Sequence, residues 1–241
     1  NDGSITSQVR ANASAGFSIV TYTGTGASGA TVGHGLNAAA PGFIIVKQRI
    51  AGPGTALYNW NSYHSSLGAT KYIALNTTAA AGTGPVFNDT TPTSTVFSLG
   101  SSTGSYNNVN NANGVTYVAY CFAPVEGYSA FGSYTGNGSS TDGPFVYTGF
   151  RPRWVLYKKT NSTGVWCLYD SARSSHNEAN VLLQAQSNAA ELSYPSDPNV
   201  RLDILSNGFK LRNSSSSQNA SGSTYLYAAF AESPFSLARA R

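Results

Sequence analysis

The sequence predicts an all-β protein built from two tandem, homologous antiparallel β-sandwich domains. The first observation is an internal repeat, because residues 113–123 read NGVTYVAYCFA and residues 221–231 read SGSTYLYAAFA. The second is a series of short runs with alternating apolar and polar residues, separated by turn-forming residues. The third is composition: only 10% of the residues are charged, whereas about a quarter is usual in a globular domain. Neutral polar residues and Tyr suit the outer faces of strands.

The repeat extends beyond its closing strand and sets the predicted domain boundaries. Residues 41–47 match residues 152–158, and residues 22–26 match residues 134–138. The spacing between matching blocks drifts by a few residues, as expected when loops of different length join equivalent strands. The predicted segments are a lead-in or linker at 1–15, a first β-sandwich at 16–125, a second at 126–236 and a loose tail at 237–241.

Alternation and β-branched residues locate the strands of the first half. Phe17–Tyr22 alternates with period two, and Phe43–Lys47 is a short apolar run entered through Pro41-Gly42. Turn-rich or loop segments are predicted at 24–35, 51–54, 77–93 and 100–114. Strands are predicted at 17–22, 43–47, 58–64, 72–75, 95–99 and 115–122.

The second half repeats this plan, with one ambiguous segment. Residues 177–192 are rich in Ala, Gln and Leu, which favours a helix by propensity. Their repeat partner at 72–75 has the pattern of a strand, so we predict a strand in the first part of the segment. The predicted strands are 131–134, 145–148, 154–159, 165–169, 181–185, 201–205, 209–212 and 225–230.

Charge and hydropathy exclude several classes of partner. The net charge is +4, but neither half has a dense stripe of Lys and Arg, so we expect no nucleic-acid partner. No apolar run reaches about 18 residues, so we expect no membrane insertion. The 15 Tyr, 11 Phe and 3 Trp are too many for an intrinsically disordered chain.

The two cysteines lie at non-equivalent positions of the repeats. Cys121 is inside the closing strand of the first repeat, and Cys167 lies between Trp166 and Leu168. The favoured interpretation is two buried free thiols, since free Cys packs as a small apolar residue. A disulfide bond between them is the alternative, and it requires Cα atoms within about 7 Å.

Catalytic patterns are missing from the sequence. No Ser lies in a G-x-S-x-G setting, and the Gly-rich stretches lack the Lys of a phosphate-binding loop. A glycosidase requires two facing carboxylates, but Asp89 and Glu126 of the first repeat align with no acid of the second. We therefore expect a protein that is not an enzyme, with no catalytic residue, no metal and no cofactor.

One cluster of polar residues is a candidate for ligand contact. Residues 169–173 read Tyr-Asp-Ser-Ala-Arg at the end of a predicted strand, and His176 follows. The matching residues of the first repeat, 63–66, place His64 where the second has Asp170. Such groups are able to bind a sugar hydroxyl or a carboxylate. The alternative is structural: Asp170 caps the turn and Arg173 pairs with it locally. The predicted contact residues are His64, Asp170, Arg173 and His176.

Nine motifs carry a family resemblance: YTGNG (134–138), GPFVYTGFRP (143–152), WCLYDSAR (166–173), LSNGFKLRN (205–213), YLYAAFAESPF (225–235), VGHGL (32–36), FIIVK (43–47), YHSSLG (63–68) and LNTTAA (75–80). They resemble a tandem β domain of tail-fibre-like virion structural proteins from cyanophages and other tailed phages, over about residues 16–235. The resemblance implies a location on the virion surface, among other virion proteins, and contact with the host.

Together with the tandem domains, the low charge and the aromatic-polar strands, this resemblance predicts a tail fibre or surface adhesin that contributes to binding a host-surface glycan. By analogy with fibres we expect a homotrimer. A capsid decoration or fibre-shaft module without a ligand is the alternative, and a polysaccharide-degrading enzyme is the third.

Overall fold

A computed structural model describes residues 2–50, 58–101 and 109–233. The protein is all-β with antiparallel sheets, as predicted. The described helical segments are two short 3-10 turns at Ala13–Ala15 and Pro85–Phe87. The chain divides into two compact units, of which the first holds residues 1–75 and 81–124 and the second holds 76–80 and 125–241. The turn predicted at 51–54, part of the loop predicted at 100–114 and the tail at 237–241 lie outside the described residues.

The first unit contains a seven-stranded sheet in the order β1-β2-β9-β4-β5-β6-β7 and a two-stranded sheet of β3 and β8. Its strands are β1 (Ser7–Asn12), β2 (Phe17–Thr23), β3 (Ala30–Gly33), β4 (Phe43–Gln48), β5 (Asn61–His64), β6 (Lys71–Ala74), β7 (Gly82–Thr83), β8 (Val96–Leu99) and β9 (Thr116–Phe122).

The second unit contains a six-stranded sheet in the order β10-β18-β12-β13-β14-β15 and a three-stranded sheet in the order β11-β17-β16. Its strands are β10 (Ser129–Thr135), β11 (Phe145–Tyr147), β12 (Pro152–Lys159), β13 (Trp166–Asp170), β14 (Val181–Gln184), β15 (Leu192–Ser193), β16 (Leu202–Leu205), β17 (Gly208–Leu211) and β18 (Thr224–Ala231).

Alternation along the strands builds one hydrophobic core in each unit. In β9 the side chains of Tyr117, Ala119 and Cys121 are buried, while their neighbours are only partly covered. They share a core with Phe97 and Leu99 of the small sheet. The large and small sheets of each unit therefore pack as a β-sandwich, since the same arrangement joins β18 and β17 in the second unit.

A tyrosine-centred corner occurs in both units with the same hydrogen bonds. The hydroxyl of Tyr117 accepts a hydrogen bond from the backbone N–H of Ala112 at 2.9 Å, and that of Tyr225 accepts from Ala220 at 2.8 Å. Tyr117 stacks on Tyr22, as Tyr225 stacks on Tyr134. This recurrence supports the interpretation as a tandem duplication, which stays a prediction.

The structure differs from the predicted elements at several places, including β7 and β15, which form where no strand is predicted. Residues 7–12, predicted as lead-in, form β1 along the edge of β2. Residues 30–33, inside a predicted turn-rich segment, form β3 and pair with β8. Residues 76–80 group with the second unit, where the carbonyl of Thr78 accepts a hydrogen bond from the backbone N–H of Gly164 at 2.9 Å. The ambiguous segment begins with a strand, β14, as predicted.

Candidate functional site

The site begins at a turn that Asp170 holds at the end of β13. Its Oδ1 accepts hydrogen bonds from the backbone N–H groups of Ala172 (3.0 Å) and Arg173 (2.8 Å), and its Oδ2 accepts from Arg173 Nε at 2.6 Å. Burial acts to raise the pKa of Asp170, but these bonds and the charge of Arg173 outweigh it and lower the pKa. Asp170 therefore caps the turn and pairs with Arg173, as the structural interpretation of this residue predicts.

Arg173 extends from this turn to one wall of a pocket. Its Nη1 lies 3.4 Å from Glu191 Oε2, and its Nη2 donates to the Leu168 carbonyl at 3.4 Å. Together with the Asp170 contact, these bonds hold the guanidinium in one orientation, because its planar group carries several fixed N–H donors. The Arg173 guanidinium therefore has a fixed position that needs no ligand.

The pocket has a volume of about 440 Å³ and lies wholly within the second unit. His176 is exposed, and its Nδ1 lies 2.9 Å from Ser175 Oγ. Asn177 fixes the loop to β16, since its side chain donates to the Ile204 carbonyl and accepts from the Ile204 N–H, both at 2.9 Å. The lining residues are Arg173, Ser174, Ser175, His176, Asn177, Glu178, Asn180 and Tyr194.

A second arginine contacts two further lining residues of this pocket. Arg201 lies 3.4 Å from Glu178 and stands over the ring of Tyr194, 5.4 Å from the ring centroid. The cation and the ring attract each other through the quadrupole of the ring. The pocket thus combines a half-exposed aromatic ring with donors and acceptors of both charges, which suits a polyhydroxylated ligand better than an apolar one.

The structure separates the four residues predicted from the sequence. Asp170 ends β13 of the second unit, Arg173 and His176 follow in the loop after it, and these last two line the pocket. His64 is fully buried in the first unit, where its Nδ1 accepts the backbone N–H of Ser66 at 3.1 Å and its ring packs on Phe43. His64 and Asp170 therefore share a role as turn caps, and we leave His64 out of the proposed site.

Sequence reasoning missed Glu178, Asn180 and Tyr194. The first two lie in the segment whose secondary structure was ambiguous, and Tyr194 follows β15. A sequence signal was present, because residues 191–197 hold two acids and an aromatic residue in a chain with few charges. That signal does not reveal which other loop the segment faces.

The described residues contain no group of three or more His, Cys, Asp and Glu side chains placed to hold a metal ion. His176 has no carboxylate partner within the described chain, so the Ser175–His176 pair lacks the third group that orients a catalytic base. Within the same residues, no helix has the length and hydropathy needed to cross a membrane.

The prediction of two buried free thiols is confirmed for Cys121 and Cys167. Burial raises the pKa of each thiol to about 12. Because the thiolate is the reactive form, both groups are unreactive at neutral pH.

Comparison with known proteins places the chain in a family. Residues 1–234 match the family described as a domain of unknown function, DUF7483, and the chain belongs to it. The match spans residues of both units. No curated protein and no solved structure matches the chain.

Proposed function

We propose that this DUF7483 protein is a virion surface protein of a tailed phage, a tail fibre or surface adhesin that contributes to binding a host glycan. The virion location is supported by the resemblance of its motifs to tail-fibre-like proteins. The binding role rests on one observation, the pocket that Arg173, His176, Glu178 and Tyr194 line in the second unit. Other virion proteins are its proposed neighbours, and a homotrimer is its proposed assembly.

The chemistry of the pocket fits a saccharide. A sugar ring carries hydroxyl groups around its rim and C–H groups on its faces. Arg173 and Asn180 offer N–H donors, Glu178 offers acceptors, and Tyr194 offers a flat apolar surface that is already held by Arg201. Preorganised polar groups raise affinity because fewer side chains must be ordered on binding.

Glycan binding by the isolated chain tests this function. We expect the chain to bind a subset of host-surface glycans on an array and to compete with the phage for adsorption to its host. His176→Ala and Asn180→Ala should weaken both, since each removes an exposed polar group without disturbing the core. Arg10→Ala, an exposed change in β1, is the matched control.

The purely structural alternative, a capsid decoration or fibre-shaft module, is favoured by the local pairing of Asp170 with Arg173, which needs no ligand. No binding to any glycan, together with unchanged adsorption after deletion of the chain, would establish that alternative. Release of oligosaccharides from host envelope would instead indicate an enzyme.

A further inference from the structure

Two aromatic side chains are exposed side by side on the small sheet of the second unit. Phe145 and Tyr147 occupy alternate positions of β11, so both point to the same face, while Val146 between them points into the core. Their exposed fractions are 45% and 66%. Exposed aromatic pairs of this kind often mark interaction sites.

A glycine lies opposite one of the two rings, so no side chain stands beside that ring on the neighbouring strand. Gly208 of β17 pairs with Tyr147. A Cβ atom at Gly208 would lie 3.0 Å from Phe145 Cε2 and 2.1 Å from the Val146 carbonyl oxygen. The Phe145 ring therefore extends across the glycine, and any larger residue would displace it.

Paired charges border the rings on the same face. Lys210 lies opposite Phe145 and bonds to Asp142 at 2.5 Å. Arg212, two residues along the chain, bonds to Asp203 at 2.6 Å. Each of these two cations thus has its own anion. The border offers oxygen acceptors and N–H donors but no excess of either charge.

The equivalent strand of the first unit, β3, has no such platform. Thr31 and Gly33 of β3 correspond to Phe145 and Tyr147, because Val32 pairs with Phe97 as Val146 pairs with Phe209. The edge of β3 is covered: the backbone N–H of Ile5 donates to the Thr31 carbonyl at 2.9 Å, and that of Ser4 donates to Thr31 Oγ1 at 2.9 Å. Between these two equivalent strands, β11 alone carries the aromatic pair.

We propose that the face formed by Phe145, Tyr147, Lys210 and Asp142 binds neutral saccharides, with a pyranose ring stacked on the two aromatic side chains. A neutral sugar matches a border whose charges already cancel, and its hydroxyls accept from Lys210 and donate to Asp142. An acidic glycan or a nucleic acid would require unpaired cations, which this border lacks among the described residues. The inference rests on the proposed glycan-binding function and adds a second site and a sugar class to it.

Binding of the full chain to immobilised neutral oligosaccharides of glucose, galactose and mannose, beside acidic ones, tests the platform. Tyr147→Ala and Phe145→Ala should each weaken binding of the neutral set by about tenfold or more, with little change in thermal unfolding because neither ring belongs to the core of the unit. Tyr147→Phe should keep most of the binding. Thr31→Ala in the first unit is the matched control and should have no effect on binding.

The outcomes separate this inference from the proposed function. If the wild-type chain binds no glycan of either class, both fail. If it binds glycans but Tyr147→Ala and Phe145→Ala leave neutral-sugar binding unchanged, the platform alone is wrong and the pocket remains. If Tyr147→Ala changes the oligomeric state in sedimentation while sugar binding stays, the face is a protein contact and the saccharide assignment is overturned.

Discussion

In its large sheet, the first unit pairs Val20 with Ala119, whereas the second pairs Gly132 with Tyr227. The larger side chain of the pair lies on β2 in the first unit and on β18 in the second. A Cβ atom at Gly132 would lie 2.7 Å from the Tyr227 hydroxyl, so the glycine provides the room for the tyrosine. Equivalent backbones therefore tolerate different side chains when the volume of a cross-strand pair is nearly conserved.

The two units also differ in which residue contacts the edge strand of the small sheet. In the first unit the buried side chain of Ile5 joins the core beside β3. In the second unit the Tyr227 hydroxyl donates to the Tyr147 carbonyl at 3.3 Å. A long side chain from within the sheet thus reaches β11 in one unit, and a preceding chain segment covers β3 in the other.

A double-mutant cycle on this pair gives the largest expected effect. Tyr227→Ala should lower the free energy of unfolding by about 3–5 kcal/mol, because it leaves a large cavity. Gly132→Val should lower it by about 2–3 kcal/mol through overpacking against Tyr227. The double variant recreates the pair of the first unit, so it should lose clearly less than the sum of the two. Denaturant unfolding followed by fluorescence of Trp154 and Trp166, both in the second unit, measures these values.

Val20→Ala in the first unit is the control for a general loss of core volume, at about 1–2 kcal/mol. Strict additivity of Gly132→Val and Tyr227→Ala would contradict the exchange of volume, and with it the equivalence of β10 to β2.

The cores also differ in polarity. Val46 of β4 and Tyr157 of β12 are equivalent, since they pair with Ala119 and Tyr227. The hydroxyls of Tyr157 and Tyr169 donate to Gln218 Oε1 at 2.6 and 3.1 Å, inside the sandwich. In the first unit Tyr63, the counterpart of Tyr169, packs on the ring of Phe87 instead.

Gln218→Leu should therefore destabilise the second unit by about 2–4 kcal/mol, because buried tyrosine hydroxyls lose their acceptor. Burial raises the pKa of Tyr157 and Tyr169. Both hydroxyls therefore stay protonated at neutral pH and still need an acceptor. Tyr157→Phe in the Gln218→Leu background should recover part of the loss, because it removes one unsatisfied donor. Urea unfolding of wild type, Gln218→Leu, Tyr157→Phe and the double variant measures the coupling. Equal stabilities of the single and double variants would refute the network.

Strands with strong alternation were predictable, and strands held by the backbone alone were not. The alternation of β9 fixes which of its side chains face the core. β18, with five consecutive buried residues, was found through its repeat match to β9. β1 has the sequence SQVRAN and lies almost wholly exposed on the edge of β2, so no apolar pattern distinguishes it from a linker. β3 lies between glycines and depends on its partner β8, distant in sequence.

The candidate site shows the same division. Strand prediction and turn chemistry place the site at the end of β13. They therefore predict Asp170, Arg173 and His176 as contact residues. Tyr194 reaches the pocket only because β14 and β15 return the chain to that loop. His64 has the same local sequence setting as Asp170, but packing against Phe43 buries it, and burial of a single side chain is a tertiary property.

Lys47 and Lys158 occupy equivalent positions and extend the comparison to a buried charge. The ammonium group of Lys47 donates to the Tyr58 carbonyl and is only partly buried. Lys158 is fully buried, and its Nζ donates to the carbonyls of Lys159 at 2.9 Å and Thr78 at 3.3 Å. Burial lowers the pKa of Lys158 to about 8, although the nearby Cys167 acts in the opposite direction.

Lys158→Met should raise the free energy of unfolding by about 1–2 kcal/mol at pH 7, because it removes a buried cation that has no anionic partner among the described residues. The unfolded chain keeps its lysine proton up to about pH 10.5, whereas the folded chain releases it near pH 8. Wild type therefore regains stability relative to the variant as the pH rises from about 8 towards 10.5. The gain in the free energy of unfolding from Lys158→Met should be largest below pH 8 and shrink by pH 9.5 in urea unfolding.

Lys47→Met, at the equivalent position of the first unit, should show a smaller change at every pH. A constant gap between wild type and Lys158→Met from pH 7 to 9.5 would mean that Lys158 is solvated in solution, and the two lysines would then be alike.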